Sequence, residues 1–407
     1  MTAGLIAGPS VVGAALLGAV ALAAPALAAA PGTPTGADGP VQTSFPDAFT
    51  YSLQNPEANP PGANADCAPS AAHPRPVILV HGTWEDAYDN WSGVTRQLSD
   101  AGYCVYALNF GKSGLLEQGG LGALLPGVDG TAPVQDSAKE LAAFTDAVLA
   151  ETGASQVDMV GHSQGGIVIR QYLKAEGGAD NALNVVTLGA TNNGTGLLGI
   201  GTLGRAFNNA GIPVLQLVQL GVGVSGIQQV FDSPFLEQLN AGGETMAGVN
   251  YTVVATEYDE VSNPYEWTFL TDNPAGAFVQ NITLQDGCAQ DISDHVSMSY
   301  SPRVLDIVET AIANNDPRAT AMNLDELACE PNGFIAGDTG SLSSMGSATA
   351  GSSGSLRAGV GSSAGSSEAV RNGTGSASGS FGPNSGSADG SAKTMSATGS
   401  SDTGSDG

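Results

Sequence analysis

The sequence predicts an α/β fold in which a mostly parallel sheet carries helices on both faces. Apolar runs of strand length alternate with segments of helical periodicity, which is the pattern of repeated βαβ units. The run Pro76–Val80 is apolar throughout, as expected of a strand covered on both faces. A second apolar run, Val157–Val160, leads into Gly-His-Ser-Gln-Gly at 161–165 and then into a helical pattern. A strand, a sharp turn and a helix in this order are typical of a turn that presents a serine at the edge of such a sheet.

The remaining elements follow in chain order. Four more strands are predicted from short apolar runs at Cys104–Leu108, Val185–Leu188, Tyr251–Ala255 and Val279–Leu284. Helices are predicted where apolar residues recur at helical spacing. The first two contain Trp91, Val94 and Leu98, ending at Gly102, and Leu141, Phe144 and Val148, running from Pro133 to about Gly153. A third covers Ile167–Lys174, and a fourth begins at the N-cap Ser301 and Pro302 and carries Val304, Leu305, Val308, Ala311 and Ile312 on one face. Right-handed crossovers would place these helices on both faces and bring the loops after the strands together at one edge.

Composition divides the chain into three parts. Residues 1–30 are rich in Ala, Gly, Leu and Val and end in Ala-Leu-Ala-Ala-Ala, which predicts an export signal, with a retained membrane anchor as the alternative. Residues 31–332 have the length of one large domain. Residues 333–407 are dominated by Gly, Ser, Ala and Thr, and we expect disorder because they lack the apolar side chains that offset ordering entropy. That tail is either a spacer or dispensable.

An apolar, Gly-rich segment at about 194–230 interrupts the alternation of strands and helices. It follows a predicted strand on the side where the loops should meet. We interpret it as a lid whose apolar surface would face an acyl chain. Ordinary packing of extra helices against the core explains the same pattern equally well.

Charge and cysteine content limit the partners and the compartment. The net charge is −27 with only 12 Lys and Arg, which argues against nucleic acid or an anionic membrane as an electrostatic partner. Four cysteines behind an export signal favour disulfides, and their spacing does not fit a zinc site. We expect Cys67–Cys104 and Cys288–Cys329, because each of these pairs is local in the order of elements.

The serine at the centre of the Gly-x-Ser-x-Gly turn, Ser163, is the predicted nucleophile. The pentapeptide alone is weak evidence in a chain with 57 glycines, and a second match occurs at Gly361–Gly365. That second match lies in a polar run with neither a strand before it nor an apolar helix after it. The surrounding pattern therefore selects Ser163.

A nucleophilic serine needs a base that takes its proton and an acid that orients the base. In this type of sheet the chain order is nucleophile, acid, histidine. Of the four histidines only His295 follows both the serine and a candidate acid, since the others are His73, His81 and His162. Asp259 lies in the loop after the strand Tyr251–Ala255 and is the predicted acid, with Glu257 and Glu260 as competitors.

The oxyanion that forms on the substrate needs donors that are already in place. One predicted donor is the backbone N–H of Gln164, the residue after the nucleophile. The other is expected in the loop after Val80, where Thr83 is the candidate. The alternative is that His81-Gly82 only makes a tight turn there.

Four motifs in this order resemble the secreted actinobacterial class 2 lipases of the α/β-hydrolase superfamily, over roughly residues 45–330. They are His-Gly-Thr-Trp at 81–84, Gly-His-Ser-Gln-Gly-Gly at 161–166, Thr-x-x-Asp-Glu-Val-x-x-Pro at 256–264 and Asp-His-Val at 294–296. The resemblance implies an α/β-hydrolase fold, a triad of Ser163, Asp259 and His295, and an oxyanion hole at Thr83 and Gln164. It also implies hydrolysis of carboxylic esters or triacylglycerols without a cofactor.

Several further expectations complete this interpretation. We expect an exported monomer that is extracellular or associated with the cell envelope and meets a lipid–water interface through the lid. Asp286, Asp291 and Asp294 crowd the histidine loop and are interpreted as solvated acids, with a calcium site as the alternative. The rival functions are an acyltransferase with the same triad and a non-catalytic envelope protein on the same scaffold.

Overall fold

A single parallel sheet organises the computed structural model, which describes residues 30–114, 119–196 and 223–333 together with Met1 and Gly4. The chain divides into two compact units, Met1–Ala348 and Thr349–Gly407, and every described residue lies in the first. The sheet has six strands in the order β2-β1-β3-β4-β5-β6, and all neighbouring pairs are parallel. The strands are β1 Val77–Val80, β2 Val105–Leu108, β3 Val157–His162, β4 Ala182–Leu188, β5 Asn250–Ala255 and β6 Phe278–Thr283. The predicted parallel α/β sheet is therefore confirmed.

Helices cover both faces of this sheet. Successive residues of a strand point to opposite faces, so Ile78 packs in one core with Phe144, and Leu79 packs in the other with Leu98 and Ile307. Each face thus buries its own set of helices against the strands. The described α-helices are Phe45–Gln54, Ala87–Trp91, Val94–Asp100, Val134–Thr152, Gln164–Ala175, Gly223–Gln228, Pro234–Asn240 and Pro302–Ile312.

The helix predicted across Trp91, Val94 and Leu98 is two helices in the structure. The first begins early because Asp86 forms a capping box with Asp89, so that each side chain accepts from the other residue's backbone N–H. The break falls at Gly93, where an added Cβ would lie 3.1 Å from Cδ1 of Tyr300. Close approach of the Tyr300 ring therefore occupies the space that a side chain in a continuous helix would need.

Two strands begin earlier than their apolar runs predict. Strands β4 and β5 include Asn184 and Asn250, whose amides are joined by a hydrogen bond of 3.0 Å. Asn184 also donates to the buried carboxylate of Asp158 at 2.8 Å, and Arg75 pairs with the same carboxylate at 2.8 Å. Hydropathy misses these residues because polar groups can be buried in strands when they bond to one another.

The structure contains the disulfides Cys67–Cys104 and Cys288–Cys329, which are the two expected pairs. They close loops of similar length, with sequence separations of 37 and 41 residues. Constraining the unfolded chain in this way stabilises a folded protein by up to about 4 kcal/mol for loops of this size.

Replacing Cys288 and Cys329 together with serine should lower the free energy of unfolding by up to about 4 kcal/mol, because the unfolded chain gains conformational entropy. Denaturant unfolding of the oxidised proteins measures the change. The matched control is the Cys67→Ser, Cys104→Ser variant, for which we expect a loss of similar size. An unchanged free energy of unfolding in both variants would contradict the prediction.

Three sequence predictions lie wholly or mostly outside the described residues. These are the export signal at 1–30, the disordered tail at 333–407, and the lid at about 194–230, of which only 194–196 and 223–230 are described. They stay predictions. Among the described residues, no helix combines the length and the apolar character needed to cross a membrane.

Candidate active site

The candidate site lies where the order of strands reverses. Strand β1 pairs with β2 on one side and β3 on the other, and in open parallel sheets ligands bind at the carboxyl ends of such strands. The loop after β1 and the turn after β3 meet there. A Cβ built on Gly82 would lie 3.0 Å from Cβ of Ser163. The topology therefore brings the two predicted motifs into contact.

Ser163 occupies a strained turn between β3 and the helix Gln164–Ala175. Its φ is 50° and its ψ is −121°, a backbone conformation that non-glycine residues rarely adopt. The turn is possible because glycines border it: a Cβ on Gly165 would lie 2.1 Å from the Val80 carbonyl oxygen. The strand–turn–helix arrangement predicted around this serine is thus present, with the helix beginning at the residue after it.

Asp259 and His295 form a buried pair. Nδ1 of His295 lies 3.0 Å from each carboxylate oxygen of Asp259, and both side chains are inaccessible to solvent. The carboxylate is itself held in place, because Oδ1 accepts the backbone N–H groups of Val261 at 2.9 Å and Ser262 at 2.6 Å. A carboxylate in this position fixes the orientation of the imidazole ring.

The pair lies beside the serine turn, at the carboxyl end of β4. The backbone N–H of Ser163 donates to the Leu188 carbonyl at 2.8 Å, and the next residue, Gly189, lies against the pair. A Cβ on Gly189 would be 3.1 Å from Nδ1 of His295. Within the described part of the chain, Nε2 of His295 is buried and has no hydrogen-bond partner, so the Ser163 hydroxyl does not bond to it in this conformation.

Only one of the three candidate acids contacts the histidine ring. Glu257 is exposed, and Oε2 of Glu260 lies 3.4 Å from the backbone nitrogen of His295 rather than from its ring. Burial raises the pKa of Glu260 well above its usual value, and the neighbouring Asp294 and Asp259 add to the shift. The three-way choice that the sequence left open is therefore resolved geometrically in favour of contact with Asp259.

Thr83 and Gln164 lie close together. A Cβ on Gly130 would be 2.9 Å from Oε1 of Gln164 and 3.3 Å from Cα of Thr83, so both residues border the same glycine. The Thr83 hydroxyl oxygen accepts a hydrogen bond of 2.9 Å from Nε2 of Gln229. Gln164 is the first residue of its helix, where backbone N–H groups have no acceptor within the helix.

His162 and Glu85 form a second buried pair that the sequence analysis did not predict. Nδ1 of His162 lies 3.0 Å from Oε2 of Glu85, and their side chains are 0% and 1% exposed. Burial alone would lower the pKa of His162, but the Glu85 carboxylate outweighs it and raises that pKa. Burial likewise tends to raise the pKa of Glu85, and His162 reverses the direction and lowers it. Each partner therefore shifts the pKa of the other toward the charged form.

The remaining histidines are occupied elsewhere. The ring of His81 stacks on Phe110 with centroids 4.1 Å apart, and burial lowers the pKa of His81 to about 4. His73 packs on Tyr103 with centroids 3.9 Å apart. Both rings therefore pack on aromatic partners, whereas the ring of His295 contacts Asp259.

Two of the three acidic residues of the histidine loop are buried rather than solvated, contrary to the interpretation from the sequence, and only Asp286 is exposed. Asp291 accepts from the hydroxyl of Ser301 at 2.6 Å, and Asp294 accepts from the hydroxyl of Ser297 at 2.6 Å. These bonds give the two carboxylates a role in shaping the loop. Among the described residues, no group of three or more His, Cys, Asp or Glu side chains could hold a metal ion.

Residues 74–269 match the family described as lipase (class 2), a range that includes Ser163 and Asp259 and ends before His295. Triacylglycerol lipases from Burkholderia plantarii and Pseudarthrobacter phenanthrenivorans are each 34% identical to this chain, over 143 and 130 residues. These matches cover 34% and 31% of this chain and 35% of each relative, so the chain spans about a third of the length of the curated relatives it matches.

Two solved structures of bacterial and fungal enzymes are similar to parts of this chain. Lipase B from Aspergillus fumigatus has a TM-score of 0.47 at 20% identity, covering 62% of this chain and 56% of its own. An esterase from Rhodococcus sp. ECU1013 has a TM-score of 0.38 at 19% identity, covering 60% of this chain and 92% of its own. The resemblance to class 2 lipases is supported by the family match and by the curated relatives, and the actinobacterial origin is not.

Proposed function

Since residues 74–269 match the class 2 lipase family, we propose that this protein is an exported serine hydrolase that cleaves carboxylic esters, with triacylglycerols and other lipid esters as substrates. The observation that carries the proposal is the buried Asp259–His295 pair beside the strained turn of Ser163. A serine, an acid and a histidine base in this chain order are the components of an acyl-transferring triad.

In the proposed reaction the imidazole of His295 accepts the proton of the Ser163 hydroxyl. Asp259 holds the Nδ1–H, which leaves Nε2 as the acceptor. The serine oxygen attacks the acyl carbonyl, the carbon–oxygen bond to the alcohol breaks, and His295 returns the proton to the leaving alcohol. Water, deprotonated by His295, then releases the acid from the acyl-serine. A rotation of the serine hydroxyl toward Nε2 on substrate binding completes the triad, as is common in ligand-free enzymes.

The backbone N–H of Gln164 and the hydroxyl of Thr83 would stabilise the oxyanion. Because the Thr83 oxygen accepts its hydrogen bond from Gln229, its own proton remains free to be donated to the substrate. Oε1 of Gln229 accepts from Thr191 at 3.0 Å, which keeps the amide nitrogen directed at Thr83. The side chain of Gln229 thus supports the hydroxyl as a donor.

Replacing Thr83 with valine should lower kcat by about 10²- to 10³-fold with a small change in KM, because the donor acts on charge that develops in the transition state. Steady-state hydrolysis of a p-nitrophenyl ester measures both constants. Thr83→Ser is the matched control, since it keeps the hydroxyl, and it should retain most of kcat. Equal kcat in the valine variant and the wild type would show that the Thr83 hydroxyl is not an oxyanion donor.

A lipid substrate is supported by the residues at the base of the predicted lid. The two ends of that segment pair with each other, since Thr195 donates to the Gln229 carbonyl at 2.8 Å and Phe231 donates to the Thr195 carbonyl at 3.0 Å. Both ends therefore emerge beside Thr83. Ile227 and Phe231 expose 61% and 45% of their surface there, which suits contact with acyl chains. Two disulfides fit an oxidising compartment outside the cytoplasm.

Labelling with a fluorophosphonate tests the proposal. One equivalent of probe should attach to the full-length protein, and peptide mapping should locate it at Ser163 because only an activated serine reacts. Comparing emulsified triacylglycerol with a soluble ester identifies the substrate class. Running each assay with and without a competing alcohol shows whether water or an alcohol accepts the acyl group. Absence of labelling would favour the non-catalytic alternative, and transfer to the alcohol in preference to water would favour an acyltransferase.

A further inference from the structure

We propose that Glu85 is a positioning residue that joins the loop after β1, the serine turn and the histidine loop through a single buried carboxylate. The inference rests on the proposed ester hydrolysis and concerns how its parts are held together. Glu85 touches neither the serine hydroxyl nor the histidine ring that would react. It acts through Gly82 and His162.

The contacts form a continuous chain across the site. Oε2 of Glu85 accepts the backbone N–H of Gly82 at 2.8 Å and lies 3.0 Å from Nδ1 of His162. On the other side of the same ring, Nε2 of His162 donates to the backbone carbonyl of His295 at 2.8 Å. One carboxylate oxygen therefore connects the residue before Thr83, the residue before Ser163, and His295 itself.

These three contacts set the relative positions of the groups that would react. A Cβ on Gly82 would lie 2.5 Å from Oε2 of Glu85 and 3.0 Å from Cβ of Ser163, so the loop after β1 passes tightly between them. The rings of His162 and His295 lie 5.1 Å apart. Asp259 fixes the His295 ring through Nδ1, whereas His162 fixes the His295 backbone. Both restraints together define where Nε2 lies relative to the serine.

Charge and burial explain why an acidic residue is needed at this position. Nε2 of His162 faces the carbonyl of His295 and therefore carries a proton, and a ring that is also protonated at Nδ1 donates to the Glu85 carboxylate as well. A positive charge on this completely buried ring is balanced by the carboxylate of Glu85, which no neutral side chain at this position would do. The amide nitrogen of Asn90 also lies 3.0 Å from Nδ1. The raised pKa of His162 and the lowered pKa of Glu85 agree with this arrangement.

The test compares Glu85→Ala and Glu85→Gln with the wild type, with active sites counted by fluorophosphonate titration so that only folded, reactive protein is scored. Small displacements of catalytic groups cost about 10²-fold in rate. We therefore expect Glu85→Ala to lower kcat per titrated site by about 10²-fold, with KM changed less than about threefold. Glu85→Gln keeps the length of the side chain and can place an amide oxygen where Oε2 lies, but it loses the negative charge, and it should recover about tenfold of that loss.

Glu244→Ala is the matched control. Glu244 is also a buried carboxylate that accepts two backbone N–H groups, from Thr271 at 2.6 Å and Asp272 at 2.7 Å, but it has no contact with the serine or histidine loops. Its removal should lower thermal stability while kcat per titrated site stays unchanged. This control separates general destabilisation from misplacement of the reacting groups.

The outcomes separate this inference from the proposed function. A wild-type protein that neither hydrolyses esters nor reacts with the probe overturns both. A reactive wild type with unchanged kcat per titrated site in Glu85→Ala overturns the positioning role alone. If Glu85→Ala fails to fold, Glu85→Gln decides: a loss of about three- to tenfold in kcat at constant KM supports the role, and wild-type kcat overturns it.

Discussion

Replacing Ser163 with alanine should lower turnover of a p-nitrophenyl ester by about 10⁴- to 10⁶-fold. The expected loss is large because alanine removes the atom that forms the acyl-enzyme, and what remains is catalysis of direct attack by water. The fold should persist, since Ser163 is buried in a turn whose close contacts are made by the neighbouring glycines. Stopped assays at high enzyme concentration, with far-UV circular dichroism to confirm folding, measure the effect.

The chain provides its own control for this substitution. Ser363 occupies the centre of the second Gly-x-Ser-x-Gly match, at 361–365. Because the sequence predicts neither a strand before that match nor an apolar helix after it, Ser363→Ala should leave turnover unchanged. Near-normal activity in Ser163→Ala, or a loss in Ser363→Ala, would show that the nucleophile has been assigned wrongly.

Replacing Asp259 with asparagine should lower kcat by about 10⁴-fold. Asparagine keeps Oδ1 and can still accept the N–H groups of Val261 and Ser262, so the loop keeps its shape. Its amide nitrogen, however, would donate to Nδ1 of His295 and favour the tautomer that carries the proton on Nε2. That tautomer cannot accept the serine proton, and the neutral amide does not stabilise the imidazolium that forms during reaction.

Two neighbouring acids serve as controls for the Asp259 substitution. Glu257 is exposed, so Glu257→Gln should change kcat by less than about twofold, as is usual for surface substitutions. Glu260 contacts only the backbone of His295, so Glu260→Gln should cost far less than Asp259→Asn. If Asp259→Asn retains activity while Glu260→Gln loses it, the acid is Glu260.

Local patterns in the sequence were sufficient for most of the scaffold. Strands buried on both faces are continuous apolar runs, and the helices that cover them repeat their apolar residues every three or four positions. The helix Phe45–Gln54 was missed, although its Phe45 and Phe49 pack with Trp84 and Val261. Local signals are present, since Ser44 and Pro46 mark its start and its buried residues recur at the helical spacing 45, 48, 49 and 52, so this helix could have been predicted.

The sequence by itself determined the strand, turn and helix around Ser163 and proposed a candidate acid and base, because a parallel sheet collects the loops after its strands at one edge. Tertiary structure alone decided which carboxylate reaches the His295 ring, since Asp259, Glu257 and Glu260 differ by one or two positions in a single loop. It alone also revealed the pairing of Glu85 with His162, 77 residues apart. The periodicity of apolar residues predicts which face of a helix or strand is buried. A contact between two loops produces no periodic pattern in the sequence, so it can be identified only from the folded structure.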